Sequence, residues 1–333
     1  MHPSINPVSD SGVFDLSVVI PVYNEEESLY ELRDELFPVL QSLGKSYEIV
    51  FVDDGSTDRS AEILREFFEA NTFVRVVTFV RNFGQQMSYT AGLRYTRGQS
   101  VILMDADLQS PACHIPDVLA KLNEGFDVVY GRREKLIGPL YRRLGTRLAS
   151  FLIRRLTGLN IPDSASGFLG LSRRLVVNVN KYDERARYLN GLFAYLAYGR
   201  SASVPVTRRE RKYGESKYNF FKLAAIVLTF IARFSNRPLH LALWASGLIG
   251  ALAVIALVVA AALAGTGRLD SAAVAFVASL VLGGNGIVLA VLGIMGDYIG
   301  RIYGEVRQQP PFLIAEVLDR EPMEPFARWS GNP

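Results

Sequence analysis

Two apolar runs near the C-terminal end constrain this chain more than any other feature. Leu239–Ala264 spans about 26 residues, ~39 Å as a helix, with His240 near its start as the one titratable group. Ala272–Met295 adds about 24 more. Runs of this length match the hydrocarbon thickness of a bilayer and exceed ordinary core helices, which disfavours a hairpin buried in a soluble core. The short polar turn Gly265–Ser271 joins them, so the sequence predicts a transmembrane hairpin with spans at 239–264 and 272–295. Arg233 and Arg237 precede the first run and Arg301 and Arg307 follow the second, while the turn holds only Arg268, offset by Asp270. The positive-inside rule then puts both flanks and both termini in the cytoplasm, as expected of a two-span protein of the inner or plasma membrane. Small residues recur on the runs, Ser246 with Gly250 and Gly286 with Ala290, a spacing that allows close packing within the hairpin or in a homo-oligomer. Asn285 falls mid-span, where an unpaired amide is costly, and is expected to bond across to a neighbouring helix.

The overall hydrophobic fraction, 49%, is ordinary only because these runs are averaged with a soluble part. The formal net charge of +3 argues against a nucleic-acid partner held by global charge. One cysteine, Cys113, excludes an intrachain disulfide, and three scattered histidines (His2, His114, His240) offer no zinc cage. The polar stretch 1–15 lacks the cationic start and apolar core of a signal peptide and is expected to be flexible.

From Leu16 to about Tyr130, β-branched runs alternate with helical stretches. Strands are expected at Leu16–Tyr23, Tyr47–Asp53, Val74–Val80, Val101–Met104 and Asp127–Tyr130. Helices are expected at Glu25–Leu43, Asp58–Glu69, Gln85–Thr96 and Ile115–Asn123. Such alternation predicts an α/β domain over 16–218 with a mostly parallel sheet covered on both faces, its ligands beyond the carboxyl ends of the strands. Gly138–Gly158 reads as an amphipathic helix bearing Arg142, Arg143, Arg147, Arg154 and Arg155, either a solvated basic face or a contact for lipid headgroups and an acceptor phosphate. Lys222–Arg233, within a juxtamembrane segment 219–238 that Pro238 ends, is a second amphipathic piece; 296–333 is left as a cytoplasmic tail.

Chemistry concentrates where strands end. Asp105-Ala-Asp107-Leu-Gln109 follows the strand Val101–Met104, so two carboxylates one residue apart can reach one hard cation, Mg²⁺ or Mn²⁺, shared with substrate phosphates. Asp53-Asp54-Gly-Ser-Thr-Asp58 ends the second strand and caps the next helix, leaving Asp53 or Asp54 to meet a base or ribose. Pro21-Val-Tyr23-Asn-Glu25 ends the first strand with a ring and an acid that can hold a base.

Together these motifs resemble glycosyltransferase family 2 and its GT-A, Rossmann-like nucleotide-sugar domain. Arg81-Asn82-Phe-Gly-Gln-Gln86 with Ala91-Gly92, Arg208-x-x-Arg211-Lys-Tyr-Gly-Glu-Ser216-Lys217-Tyr218, and Gly296-Asp-Tyr-Ile-Gly-Arg301-Ile-Tyr-Gly-Glu305 are similar to the signatures of its polyprenyl-phosphate branch. That resemblance, over roughly Leu16–Leu318, implies a membrane-anchored, metal-dependent inverting transferase. It implies a nucleotide-sugar donor, UDP-linked in preference to GDP-linked, and a polyprenyl or undecaprenyl phosphate acceptor, the product serving cell-envelope glycan or lipid modification. It implies that Pro21, Tyr23, Glu25, Asp53, Asp54, Arg81 and Asn82 hold the nucleotide-sugar. Asp105, Asp107 and Gln109 hold Mg²⁺ or Mn²⁺, and Arg208, Arg211, Ser216 and Lys217 line the acceptor phosphate, a task suited to arginine's planar fork.

One stretch departs from the branch. Asp163-Ser-Ala-Ser-Gly167-Phe-Leu-Gly170 has glycine where relatives carry an acid and an arginine, and Asp163 is the nearest acid for a catalytic base. A catalytically silent membrane scaffold of the same fold is the competing reading from another class. A processive polysaccharide synthase is disfavoured, because Arg328-Trp329 has Pro325 where its motif needs glutamine. No Gly-x-Gly-x-x-Gly follows the first strand, against a dinucleotide dehydrogenase.

Overall fold

The computed structural model describes residues 14–133, 165–182, 189–207, 271–306 and 310–320, with Arg155 and separate helical positions between 248 and 262. They belong to two units, one drawn from Met1–Arg154, Gly158–Tyr218 and Pro310–Pro333, the other from Arg155–Thr157 and Asn219–Gln309.

The first unit is built on alternation of apolar side chains. Along β1 (Phe14–Val22), Leu16, Val18, Ile20 and Val22 enter one buried cluster and Val19 the other, and β2 (Tyr47–Asp53) divides Ile49 and Phe51 from Val50 and Val52 in the same way. Strands buried on both faces need helices on both. α1 (Leu29–Ser42), α2 (Ser60–Ala70) and α4 (Ile115–Asn123) cover one face through Leu36, Leu64 and Val118. α3 (Gln85–Arg94), α5 (Arg173–Lys181) and α6 (Leu189–Ala197) cover the other through Leu93, Val176 and Phe193.

With β3 (Val74–Phe79), β4 (Gly98–Leu103), β5 (Val128–Arg133), β6 (Ala165–Ser172), β7 (Ser201–Val206) and β8 (Ile314–Leu318), the eight strands run in the order β7-β5-β6-β4-β1-β2-β3-β8. The four strands β4-β1-β2-β3 are parallel, as the alternation predicts. β5 and β7 run the same way, so the sheet is mostly parallel as expected, and two reversed strands make it mixed. β6 runs antiparallel between β4 and β5, and β8 runs antiparallel to β3. β6 escaped the sequence pattern because Gly167 and Gly170 interrupt its apolar run. Gly170 is required by packing, since a Cβ there would meet Val118 Cγ1 of α4 at 2.2 Å.

Two boundary expectations change as well. β1 already begins at Phe14, and the Asp15 carboxylate accepts hydrogen bonds from Ser46 N (2.9 Å) and Oγ (2.8 Å), so these two residues are not part of a flexible end. The segment left as a tail returns as β8, pinned by Phe312 stacked on Phe79 with ring centroids 5.0 Å apart.

Just beyond β8, Asp319 enters a buried ion network. Its carboxylate receives Arg75 Nε (2.9 Å) and Arg97 Nη2 (3.0 Å). Arg75 Nη1 reaches Glu48 (2.8 Å), which also accepts from Ser17 Oγ (2.6 Å) and Arg97 N (2.6 Å). Two arginines and two acids sum to zero charge, and the network ties β1, β2, β3, the start of β4 and the chain after β8 at the end of the sheet opposite the polar signatures.

In the second unit, α7 (Ser271–Val306) is one 36-residue helix, ~54 Å long. Its 25-residue stretch Phe276–Gly300 is long and apolar enough to cross a membrane. It does not stop at Met295 but runs on through Gly296–Glu305. The Asn285 side-chain amide donates to Val281 O of its own helix (3.0 Å). The described positions of the first apolar run are helical. The turn at 265–270, residues 1–13, the juxtamembrane segment 219–238 and all of Gly138–Gly158 except Arg155 lie outside the described residues.

Removing Asp319 leaves buried guanidinium charge short of a partner, so Asp319→Ala is expected to destabilise the first unit by about 3 kcal/mol. Glu316→Ala, which breaks an exposed pair with Arg65, is expected to cost at most about 1 kcal/mol. Thermal unfolding of the detergent-solubilised protein, followed by circular dichroism, ranks the two; equal losses would refute the network's role.

Candidate functional site

Parallel strands in register end together. Val22 of β1 pairs with Asp53 of β2, and Val19 with Leu103 of β4, so the three polar segments that follow leave one end of the sheet. Asp54 N donates to Val22 O (2.8 Å) and Met104 N to Val19 O (3.1 Å), carrying the alignment one step past the strands.

The first two segments are laced to each other. Asn24 takes a left-handed backbone (φ 54°); its N–H donates to Ser56 Oγ (3.1 Å) and its side-chain oxygen accepts from Thr57 N (2.8 Å). Glu25 N donates to Ser60 Oγ (2.9 Å), Glu26 N to Asp58 (3.1 Å), and Arg59 N to Glu26 (3.0 Å). The Glu25 carboxylate accepts from its neighbour Ser28 (2.8 Å). This lacing is why α1 begins at Leu29 rather than at Glu25. Above it stands Tyr23, 45% exposed despite its size, next to the half-buried Pro21.

Asp53 and Asp54 part company. Asp53 is buried and accepts from Ser56 N (3.0 Å); burial raises its pKa above the usual carboxylate value, with the Ser56 hydrogen bonds acting against it. Asp54 points toward the next loop, accepting from Phe83 N (2.7 Å) and Gly84 N (2.8 Å), its pKa likewise raised by burial against those two donors. Gly55, at φ +68°, passes so close under this loop that a Cβ would meet Arg81 C at 2.5 Å. Arg81 and Asn82 are exposed on top, with the Arg81 guanidinium over the Phe83 ring (4.7 Å).

The third segment carries the paired acids. Leu108, buried and at φ 58°, turns the chain sharply after Asp107, whose carboxylate accepts from Gln109 N (3.1 Å). Asp105 is held from outside: the Tyr89 hydroxyl donates to its Oδ1 (2.6 Å), the Gln85 amide donates to the same oxygen, and β6 passes alongside. A Cβ at Gly167 would lie 2.3 Å from Asp105 Oδ2. Burial, then the charge of Asp105, drives the Tyr89 pKa well above 10, so the phenol stays protonated and donates.

Among the described residues, no three His, Cys, Asp or Glu side chains gather as a cage. Two half-buried carboxylates and the Gln109 carboxamide nevertheless offer oxygen donors alone. That donor set fits Mg²⁺ or Mn²⁺ completed by phosphate oxygens and water, and fits no soft metal.

Of the residues singled out from sequence, Pro21 and Asp53 lie in the last residues of strands β1 and β2 before this sheet end, and Tyr23, Glu25, Arg81, Asn82, Asp105, Asp107 and Gln109 lie on the loops beyond it. Asp54 lies there too, turned to the backbone of its neighbouring loop. Asp163, Arg208, Arg211, Ser216 and Lys217 lie outside the described residues. Sequence reasoning passed over Asn24, Gln85 and Tyr89. For the last two a signal existed, a four-residue spacing that places them on one face of α3.

A model of Glycosyl transferase family 2 matches residues 17–179. An uncharacterized glycosyltransferase of Synechocystis sp. is 34% identical over 315 residues, covering 93% of this chain and 98% of its own length. An uncharacterized glycosyltransferase of Bacillus subtilis, YkcC, is 34% identical over 303 residues, 90% of this chain and 92% of its own. The undecaprenyl-phosphate 4-deoxy-4-formamido-L-arabinose transferase of Salmonella paratyphi B is 33% identical over 314 residues, 91% and 93% of the two chains.

Asp54→Ala leaves the Phe83 and Gly84 amides without their acceptor and is expected to destabilise by about 1–3 kcal/mol, whereas Asp54→Asn, keeping one acceptor, is expected to lose less. Denaturant unfolding of the two variants checks this, and an Asn variant as unstable as the Ala variant would contradict the backbone role.

Proposed function

The chain belongs to glycosyl transferase family 2, and from that premise we propose that it moves a sugar from a nucleotide-sugar to undecaprenyl phosphate, or a polyprenyl phosphate of like chemistry, at the cytoplasmic face of a membrane. The observation that carries this reading is one of connectivity. Val206 of β7 and Ile314 of β8 enter the same sheet, and the membrane-length apolar helix α7 lies in the chain between them. A segment that leaves and rejoins one sheet crosses a bilayer an even number of times. With α7 as one crossing, the apolar run 239–264 supplies the return, and both flanks stay with the site, on the side the arginine distribution favours. A sheet tethered in this way suits an acceptor that is itself a lipid. The name of the Salmonella relative, similar over nearly the whole chain, supports the same acceptor.

On this reading Tyr23, Pro21, Glu25, Asp53, Arg81 and Asn82 hold the nucleoside end of the donor, UDP-linked by the resemblance. Asp105, Asp107 and Gln109 would hold Mg²⁺ or Mn²⁺, which when bound neutralises charge on the departing diphosphate. Arg208, Arg211, Ser216 and Lys217 receive the acceptor phosphate and the lipid headgroups around it. A phosphate monoester carries about −1.5 to −2 charge near neutral pH. One of its oxygens attacks the anomeric carbon; the new carbon–oxygen bond forms as the bond to the nucleoside diphosphate breaks, and that electron pair leaves with the diphosphate. The configuration inverts, and no protein base is needed, so Asp163 has no step to perform. Orientation and charge stabilisation by the site carry the acceleration.

The direct test is transfer in detergent: purified protein, undecaprenyl phosphate, Mn²⁺ or Mg²⁺, and a panel of labelled UDP- and GDP-sugars. Label is expected in the lipid fraction from one donor, lost with EDTA and with Asp107→Ala. Arg211→Ala is expected to raise KM for the lipid at least about tenfold with little change in nucleotide affinity. Nucleotide binding without transfer from any donor would favour the silent scaffold.

The two-span topology has its own test. A thiol introduced as Arg268→Cys in a Cys113→Ala background should react with an impermeant maleimide only from the face opposite Cys113 of the parent protein. Labelling of both from one face would remove the hairpin.

A further inference from the structure

We propose that Tyr89 and Gln85 are positioning residues that, together with the bare backbone at Gly167, lock the Asp105 carboxylate into the one orientation in which it receives the metal–diphosphate. The proposal rests on the metal-dependent transfer set out above. It gives a task to the Gln-Gln-Met-Ser-Tyr stretch of α3, which neither the metal motif nor the nucleotide loops explain.

An aspartate at the end of a strand turns freely about two bonds unless something fixes it. Here Gln85 and Tyr89, one turn apart on α3, both donate to the same oxygen, Asp105 Oδ1, the phenol from 2.6 Å. On the far side stands Gly167 of β6. A Cβ at that position would fall 2.3 Å from Oδ2, 2.9 Å from Cγ and 3.0 Å from Oδ1. Two donors therefore pull the carboxylate one way, and β6 has room for it only because residue 167 lacks a side chain. Both hydrogen bonds to a carboxylate belong to the stronger, charge-assisted class. A carboxylate oriented before substrate arrives spares the site that ordering at the moment of binding.

Other features of the same helix hold the clamp in place. Asp54 fixes the backbone just before α3 through Phe83 N and Gly84 N. The Gln86 side chain accepts from Leu189 N (3.1 Å), joining α3 to the start of α6. Tyr89 is buried, so its hydroxyl cannot leave Asp105 for water; among the described residues its second acceptor is Gly167 O, at 3.4 Å. Glycine at 167 and at 170 thus has a physical reason in each case. One makes room for Asp105 and the other for α4.

The test is a Mn²⁺ titration of the full-length, detergent-solubilised protein in the presence of UDP, read by the electron paramagnetic resonance of free Mn²⁺. Tyr89→Phe keeps the ring and removes only the donor; its apparent Kd for Mn²⁺ is expected to rise about tenfold. Gln85→Ala, at an exposed side chain, is expected to raise it severalfold and covers the case in which Tyr89→Phe does not fold. Gly167→Ala keeps both donors and pushes the carboxylate away; it is expected to raise Kd at least as much as Tyr89→Phe. In transfer assays, Tyr89→Phe should raise KM for the metal while kcat at saturating Mn²⁺ stays within about twofold of the parent. A merely structural role would lower the melting temperature and leave Kd unmoved, and unchanged Kd in Tyr89→Phe and Gly167→Ala overturns the proposal. A parent protein that transfers sugar without binding Mn²⁺ overturns the clamp and leaves the transferase reading intact. One that does neither overturns both.

Discussion

A carboxylate taken out of water must be given donors, and four of the carboxylates so treated organise the two ends of this sheet. Glu48 and Asp319 lie at one end of the sheet with Arg75, Arg97 and Ser17; Asp53 and Asp54 lie at the other with backbone N–H groups of the loops. The two ends solve the same problem in opposite ways. At the lower end the partners are full charges, which suits a permanent joint. At the upper end they are neutral amides, and burial still raises the pKa of both acids. Asp54 thereby sets the loop that carries Arg81 and Asn82, and the same loop starts the helix that reaches Asp105. The site is thus a chain of carboxylate–donor contacts running across three strand ends.

Much of this was legible in the sequence, and the reason is periodicity. β1 to β4 and the helices between them announce themselves because each strand is apolar on both faces and each helix on one. Asp53, Asp105 and Asp107 were legible because they stand directly after such strands. What stayed hidden depends on partners far away in the chain. Ile314-Ala-Glu-Val-Leu318 is a short, largely exposed segment that pairs along the open edge of β3, with Asp319 beyond it bonded to two arginines. Asp54 looks equivalent to Asp53 until the loop near Gly84, about 30 residues on, claims its oxygens. Gln85 and Tyr89 carry no signal of their own chemistry; only their spacing on α3 puts them on one face, and only the fold aims that face at Asp105.

The return of the chain as β8 also bears on how a long apolar segment is borne by this sheet. A helix appended at the end of a domain restrains it at one point. Here the segment between β7 and β8 is a loop of the sheet, closed at its far end by strand pairing, the Phe312–Phe79 stack and the buried ions at Asp319. In the chain β8 follows α7 and precedes Asp319, so the strand that closes the sheet is also the first to follow the apolar helix. Placing permanent charge pairs there, away from the site, leaves the loops around Asp105 free to be built from weaker contacts.

Glycine at position 167 brings the chemistry and the packing together. An acid on β6 at this point would set its Cβ within 2.3 Å of an Asp105 oxygen and bring a second negative charge beside the first. Like charges so close cannot both stay ionised without a cation between them. A phosphate monoester arrives already ionised. Under the proposed reaction the site can do without the second acid, and the space is used to hold the first one still. The bare backbone that removes a candidate base is compatible with an acceptor that carries its own charge, as is the acid that relatives of the same branch bear there.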